Sequence, residues 1–231
     1  MLYFKDFLKE EAEGAKLKHI HHAEDRPLMH GSEGFEHAEG ALKQASEDMK
    51  SGHTSNNLTE KFDGSPSIVF GKHPETGKFF VASKSAFNKN PKINYTPEDV
   101  DRNHGHAPGL AEKLKHALEH LPKVAPKKGV YQGDLMYSGN DAQKNKDGSV
   151  SFTPNTITYT AHGKEADKIK KSKIGVVVHT KYDEKGNATP HVDHENFKQH
   201  PDVHHHGAEH DTSKVHYSDK EQGEFHKHMA A

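Results

Sequence analysis

Cysteine is absent from this 231-residue chain. Without cysteine the chain can form neither a disulfide nor a thiolate metal site, which fits a reducing compartment. No stretch approaches the roughly 18 apolar residues that a membrane-spanning helix needs. The N-terminal segment MLYFKDFLKEE also lacks the basic-then-apolar layout of a signal peptide. We therefore expect a soluble, cytoplasmic protein with no membrane partner.

Apolar residues and an excess of charge of one sign are also lacking. Apolar residues make up 31% of the chain, and the mean hydropathy is -1.01. The whole chain therefore cannot fold around one core, and its most polar stretches should be surface or tail. The chain has 32 Lys and Arg against 34 Asp and Glu. This balance gives no support for a nucleic-acid-binding face, although residues 88–92 and 168–173 are locally basic.

Histidine is unusually frequent: there are 23, and they are thickest in the segment HPDVHHHGAEH, residues 200–210. Two interpretations stay open, namely a site for zinc or nickel and a solvated surface whose charge changes near neutral pH. A metal site needs ligands held in fixed geometry by supporting contacts. The segment is too polar to supply that frame, so the sequence favours the solvated surface.

Hydrophobic spacing predicts an α+β protein with an antiparallel β-sheet core and flanking helices. Apolar residues at helical spacing predict helices near residues 2–8, over 32–50 and over 108–121, the last opened by one proline and ended by another. Apolar runs on either side of a turn predict a β-hairpin over residues 67–83. Further strands are expected at 129–137, 150–161 and 174–182, with a loop at 87–101 and a basic connector at 164–172.

The same pattern predicts three segments. Residues 1–54 are expected to be a helical segment that packs on the core, and residues 55–182 the core itself. Residues 183–231 are expected to be a polar, His-rich tail, because the apolar residues there are scattered among charges.

The segment LTEKFDGSPSIVF, residues 58–70, places a lysine two residues before Asp-Gly and just ahead of an apolar run. Asp-Gly-Ser-Pro is typical of a turn, and a lysine beside a turn is ordinarily solvated. VYQGDLMY follows at residues 130–137 and IGVVVHTKY at residues 174–182. In this order the three segments resemble the motifs of the covalent nucleotidyltransferases, which include ATP-dependent DNA and RNA ligases and mRNA capping enzymes.

This resemblance implies that Lys61 is a nucleophile that attacks the α-phosphate of ATP. KFDG matches the K-x-D-G motif fully, YQGD matches the next motif with Asp134 in place of glutamate, and IGVVVH matches the third only in its apolar part. The fold implied is the ATP-dependent ligase adenylation domain, without the OB-fold module that DNA ligases add. A lysine at its reference pKa of ~10.4 is protonated. Nearby cations and partial burial would have to favour the neutral amine.

The resemblance also implies which residues bind ATP and a metal ion. Glu60 would face the adenine amino group, and Lys84 would reach the ribose. Asp134 would touch the sugar or an Mg²⁺ (or Mn²⁺) ion. The other expected nucleotide-binding residues are Asp63, Gly64, Ser65, Tyr131 and Lys181.

One position favours RNA ligases within the superfamily. DNA ligases and capping enzymes continue K-x-D-G-x-R, whereas Pro66 stands at the arginine position here and K-x-D-G-S occurs in some phage RNA ligases. The chain is also similar to tailed-phage proteins that share GVYQGD, P-N-T-I and IGVV-x-HT. We therefore expect an ATP-dependent ligase that joins 5′-phosphate to 3′-hydroxyl ends of RNA or nicked nucleic acid. It would act as a monomer, in the host cytoplasm if phage-encoded, with strand contacts from Lys89, Lys92 and residues 168–173.

Two departures from the motifs keep other interpretations open. Ile174 stands where the third motif has a metal-binding glutamate, and no later K-x-K motif is evident. The alternatives are a minimal DNA ligase, a non-catalytic nucleic-acid-binding phage protein that retains the fold, and a His-rich metal-binding protein.

Overall fold

The computed structural model describes residues 25–51, 61–183, 186–191, 196–207 and 218–229. The chain forms two compact units, the first holding the described residues between 61 and 207 and the second those of 25–51 and 218–229. The helix expected near residues 2–8 lies outside the described residues. None of the helices in the described ranges is both long enough and apolar enough to cross a membrane.

The protein is α+β. Its helices are α1 Arg26–Ser51, α2 Pro97–His104, α3 Pro108–His120, α4 Gly163–Lys171 and α5 Asp219–Met229. Its strands are β1 Ser67–Lys72, β2 Phe79–Ser83, β3 Val130–Ser138, β4 Gln143–Lys144, β5 Val150–Phe152, β6 Tyr159–Ala161, β7 Ile174–Tyr182, β8 Ala188–Pro190 and β9 Val203–Gly207.

A six-stranded sheet forms the centre of the first unit. Strands β2, β1, β3, β7 and β8 lie in that order and are antiparallel. Strand β9 also pairs with β7, but in parallel, along residues 174–178 of β7. Strands β4, β5 and β6 form a separate three-stranded antiparallel sheet. The expected antiparallel core with flanking helices is therefore present, with one parallel strand added.

One face of the central sheet, here called the helix-covered face, packs against α2 and α3. Helix α3 begins at Pro108, whose fixed φ suits the first helical position. It presents Ala111, Leu114 and Ala117 at three-residue steps, and these side chains are buried. They pack against apolar side chains of the sheet such as Phe70. Burial of this face is the main source of hydrophobic stabilisation in the unit.

Three elements differ from the sequence prediction. Helix α2 begins inside the loop expected at 87–101 and runs past its end, and Thr96 and Asp99 form a capping box at its start. Helix α4 replaces the expected basic connector, because Ala166 and Ile169 share one face and are both buried. The strand expected over 150–161 is instead the pair β5 and β6 with a connecting loop.

The core was expected to end at Tyr182, but it continues beyond that residue. Strands β8 and β9 extend the sheet, and Phe197 and Val203 are buried in the helix-covered core. Asp202 anchors the start of β9, since its carbonyl accepts hydrogen bonds from the backbone N–H groups of Lys173 (2.7 Å) and Ile174 (3.2 Å). Part of the segment expected to be a polar tail therefore belongs to the sheet and its core.

The second unit pairs α1 with α5. Helix α1 is kinked at Gly31, which has φ 58°. Near its end, the Lys50 ammonium donates to the Gln222 side-chain oxygen (2.5 Å) and lies 3.2 Å from the Asp219 carboxylate. The Gln222 amide in turn donates to the Glu47 carboxylate at 2.9 Å. These polar contacts connect two helices that are far apart in the sequence.

Candidate functional site

The K-x-D-G segment lies directly against β3. The Ser65 N–H donates to the Leu135 carbonyl at 2.9 Å, and the Leu135 N–H donates to the Pro66 carbonyl at 3.0 Å. A Cβ atom added to Gly64 would lie 2.5 Å from the Asp134 Cβ, so a side chain at residue 64 would force the two segments apart. The fold therefore brings KFDG and YQGD into contact.

The Asp63 carboxylate is held by the loop between β5 and β6. It accepts hydrogen bonds from the Asn155 side chain (3.0 Å), the Thr156 hydroxyl (2.9 Å) and the Thr156 N–H (3.2 Å). The Asp63 N–H donates to the Tyr159 hydroxyl at 2.7 Å. The hydrogen bonds from Asn155 and then Thr156 lower the pKa of Asp63 below its ordinary value. Asp63, which the resemblance places in the nucleotide site, thus connects the K-x-D-G segment to this loop.

Four polar side chains form a strip across the second face of the sheet, the one opposite the helix-covered face. They are Ser67, Gln132, Asp134 and His179, and all are partly exposed between two apolar clusters. The Gln132 amide donates to the Ser67 hydroxyl at 3.1 Å, and its oxygen accepts from the Tyr182 hydroxyl at 2.6 Å. Because Ser67 pairs with Asp134 in register, the strip runs from β1 across β3 to β7.

His179 was not predicted as a site residue, yet it lies beside Asp134. Its Nε2 atom is 3.6 Å from Asp134 Oδ1, and its Nδ1 atom is 2.8 Å from the Thr180 hydroxyl. A β-bulge explains this placement, since Gln132 pairs with Thr180 but Gly133 pairs with Val178. The bulge leaves His179 without a partner in register on β3. In the sequence, His179 is recognisable only as the polar residue that ends the apolar run IGVVV. Without the strand register, that position does not show which face the side chain occupies.

Lys61 and Lys84, two of the three lysines expected in the site, are both exposed. Lys61 precedes Asp63 on the turn, and its positive charge contributes to the lowered pKa of that carboxyl. Lys84 opens a 3₁₀ turn at the end of β2, capped by the Ser83 hydroxyl. Glu60 lies outside the described residues. Lys113 of α3 was not predicted from the sequence. Its ammonium donates to the Ser65 carbonyl at 3.4 Å.

Tyr131 and Lys181 lie away from the polar strip. Tyr131 is 3% exposed and packs in the helix-covered core, whereas Asp134 is three residues further along β3 and points to the other face. Lys181 pairs with Tyr131 in register and is exposed. Residues paired across a sheet share a face, so Lys181 does not lie beside Asp134. Ile174 is fully buried in the helix-covered core, where a carboxylate would find no water.

Several lysines expected to contact a nucleic-acid strand already have polar partners. Lys92 donates to the Asn103 carbonyl at 3.0 Å, and Lys168 lies 3.3 Å from the Glu165 carboxylate. Lys89 and Lys171 are exposed.

No three His, Asp or Glu side chains converge into a metal-binding cluster among the described residues. The segment around His204 and His205 is a strand rather than a solvated surface, and both side chains are buried. The His204 imidazole lies 2.8 Å from Glu165 on α4, and the His205 ring lies 3.2 Å from the Lys198 carbonyl. His204 and His205 of β9 are therefore packed within the fold.

The fold and the site define an α+β protein in which a lysine-bearing turn lies against an acidic residue of the central sheet. Residues 17–231 match the model of a family of unknown function, DUF6267, and the chain belongs to that family. No curated protein and no solved structure matches the chain.

Proposed function

We propose that the protein is an ATP-dependent polynucleotide ligase that acts on RNA and adenylylates itself on Lys61. The observation that carries this proposal is the contact between the two motif segments, in which Gly64 lies against Asp134. Residues of K-x-D-G and of YQGD are far apart in the chain, and their close approach is what a shared nucleotide site requires. The exposed Lys61 is accessible to a bound nucleotide.

The first step would form a phosphoramidate. The neutral amine of Lys61 attacks the α-phosphorus of ATP, the P–N bond forms, and the bond between the α-phosphorus and the bridging oxygen breaks. Pyrophosphate leaves, and the amine proton passes to water. AMP is then transferred to a 5′-phosphate end, and a 3′-hydroxyl displaces it to join the strands.

The residues around Lys61 would orient the nucleotide rather than react with it. Asp63, held by Asn155 and Thr156, fixes the turn that carries the lysine. Holding the reacting groups at a productive distance lowers the barrier by removing their freedom before the step. Asp134 has a partly exposed carboxylate suited to a divalent ion such as Mg²⁺ or Mn²⁺. A bound ion would neutralise charge on the departing pyrophosphate.

The test is labelling of the purified protein with ATP that carries radioactive phosphorus at the α position, followed by a denaturing gel. We expect a labelled band that survives denaturation and is lost in Lys61→Ala. The matched control is Lys78→Ala, which changes an exposed lysine of the β1–β2 turn and should label like the parent. Equal labelling of the Lys61→Ala protein would contradict the proposal.

A non-catalytic nucleic-acid-binding protein is the second candidate. The burial of Ile174 favours it, because the resembling enzymes carry a metal-binding carboxylate at that position. This candidate predicts that no covalent label forms in the presence of any metal ion. It also predicts that Lys61→Ala leaves RNA binding unchanged. Fluorescence anisotropy with labelled RNA at several salt concentrations separates the two, since binding through phosphate contacts weakens steeply with salt.

A further inference from the structure

His179 and Asp134 lie within ion-pair distance of each other but beyond hydrogen-bond distance. The gap of 3.6 Å between Nε2 and Oδ1 is longer than a nitrogen–oxygen hydrogen bond. Two atoms that each lie ~2.1 Å from one metal ion are typically separated by ~3–4 Å. The pair therefore has the spacing of two ligands of a single ion.

The other ring nitrogen of His179 supports the same arrangement. Nδ1 lies 2.8 Å from the hydroxyl of Thr180, whose side chain is buried. If Nδ1–H donates to that hydroxyl, the lone pair of Nε2 points toward the carboxylate. In that tautomer the two electron-rich atoms repel each other, and either a proton or a metal cation between them relieves the repulsion. Histidines that bind metals are commonly fixed in this way through their second nitrogen.

We propose that His179 and Asp134 together bind one divalent cation, and that the ion is of the Mn²⁺ class rather than Mg²⁺. Mg²⁺ prefers oxygen ligands almost exclusively, whereas an imidazole nitrogen suits transition-metal ions. The two side chains are 34% and 22% exposed, so water or a substrate phosphate can complete the coordination. The role of this ion in phosphoryl transfer rests on the proposed function, whereas the site itself rests on the geometry.

The test is a titration of the full-length protein with Mn²⁺, in which electron paramagnetic resonance reports the unbound ion. His179→Gln should weaken one Mn²⁺ site at least ~10-fold, the effect typical of losing metal-site contacts. Mg²⁺ affinity, measured by competition, should change much less in this variant. Asp134→Asn should weaken the binding of both ions.

Thr180→Val tests whether the hydroxyl fixes the imidazole. It keeps the volume of the side chain, and we expect a Mn²⁺ affinity ~10-fold weaker, restored by Thr180→Ser. Because the chain has 23 histidines, the background control is His106→Gln, which removes an exposed imidazole distant in sequence from the strip. Circular dichroism checks that each variant is folded.

Loss of one Mn²⁺ site in His179→Gln and in Asp134→Asn, but not in His106→Gln, is the expected result. Equal Mn²⁺ binding by the parent and by His179→Gln would overturn the inference, whether or not the protein labels with ATP. Failure of the proposed function has a separate signature, namely a parent protein that binds Mn²⁺ at this site but takes up no label from ATP. His179→Asn is the second variant if His179→Gln does not fold.

Discussion

At the scale of single residues, the contact between the two motifs depends on a glycine, Gly64, which has no side chain. A Cβ atom at Gly64 would lie 2.5 Å from the Asp134 Cβ and 3.0 Å from the Leu135 carbonyl oxygen. Neither neighbour is the flexible end of a long side chain, so the backbone itself would have to move. The glycine of K-x-D-G is thus required by close approach to β3, independently of any role in binding phosphate.

Gly64→Ala is therefore expected to destabilise the protein and reduce labelling of Lys61. Overpacking of this kind typically costs about 1–3 kcal/mol, measurable by urea unfolding followed by circular dichroism. The control is Gly109→Ala in α3, where an added Cβ meets no atom within 4 Å. That change should leave stability equal or raise it, because alanine favours helix more than glycine does. Wild-type stability and labelling in Gly64→Ala would show that the contact is loose.

The resemblance identified K-x-D-G and YQGD as motifs, but their contact and the faces of the neighbouring residues follow from the fold. The faces of Tyr131 and Lys181 depend on strand register, and the bulge at His179 shifts that register by one residue. Sequence spacing alone cannot reveal a bulge, which is why His179 was missed, whereas Lys181 was expected in the site from the resemblance.

At the scale of elements, the loop between β5 and β6 and the K-x-D-G turn depend on each other. The Asp63 carboxylate connects them by accepting hydrogen bonds from Asn155 and Thr156. These bonds favour the ionised carboxylate in the folded state and lower its pKa below the ordinary value of 3.8. The stabilisation is therefore complete above pH 3.8 and is lost as the pH falls through the lower pKa of the folded state.

The lowered pKa of Asp63 leads to a prediction for the pH dependence of stability in Asp63→Asn. Near neutral pH the variant should unfold at a lower urea concentration than the parent, and the difference should shrink as the pH is lowered below 3.8. Thr156→Val removes one of the donors and should show an intermediate dependence. Urea unfolding at a series of pH values provides the measurement. Parallel curves for the parent and Asp63→Asn would mean that the carboxylate contributes nothing through its charge.

Some elements were predictable and others were not, for identifiable reasons. The β1–β2 hairpin and α3 have clear apolar periods and turn residues, and both were predicted from them. Helix α2 carries a start signal in Thr96-Pro97-Glu98-Asp99, but the prolines and asparagines around it favoured a loop. Strand β9 has almost no apolar residues, and its buried His204 and His205 contact Glu165 of α4 and the Lys198 carbonyl.

At the scale of the whole molecule, the first unit closes its core with residues from its C-terminal part. Phe197 is 5% exposed, and its ring lies 5.0 Å from that of Tyr131 and 6.3 Å from that of Phe70. The rings of His191 and His205 lie within 6 Å of it, at 5.9 and 5.6 Å. The chain must therefore be complete as far as β9 before this side of the sheet is covered.

Phe197→Ala is expected to lower the free energy of unfolding by about 3–5 kcal/mol, the usual cost of removing a buried aromatic ring. The control is Phe225→Ala in α5, which changes a partly exposed ring in the second unit and should have a much smaller effect on the first unit. Because the chain has no tryptophan, near-ultraviolet circular dichroism of tyrosine is a suitable signal for the core. A chain ending after His191 lacks both Phe197 and β9 and should lose that signal, whereas one ending after Gly207 should retain it. A truncated chain ending at His191 that still shows native tyrosine dichroism would place the end of the core at β8.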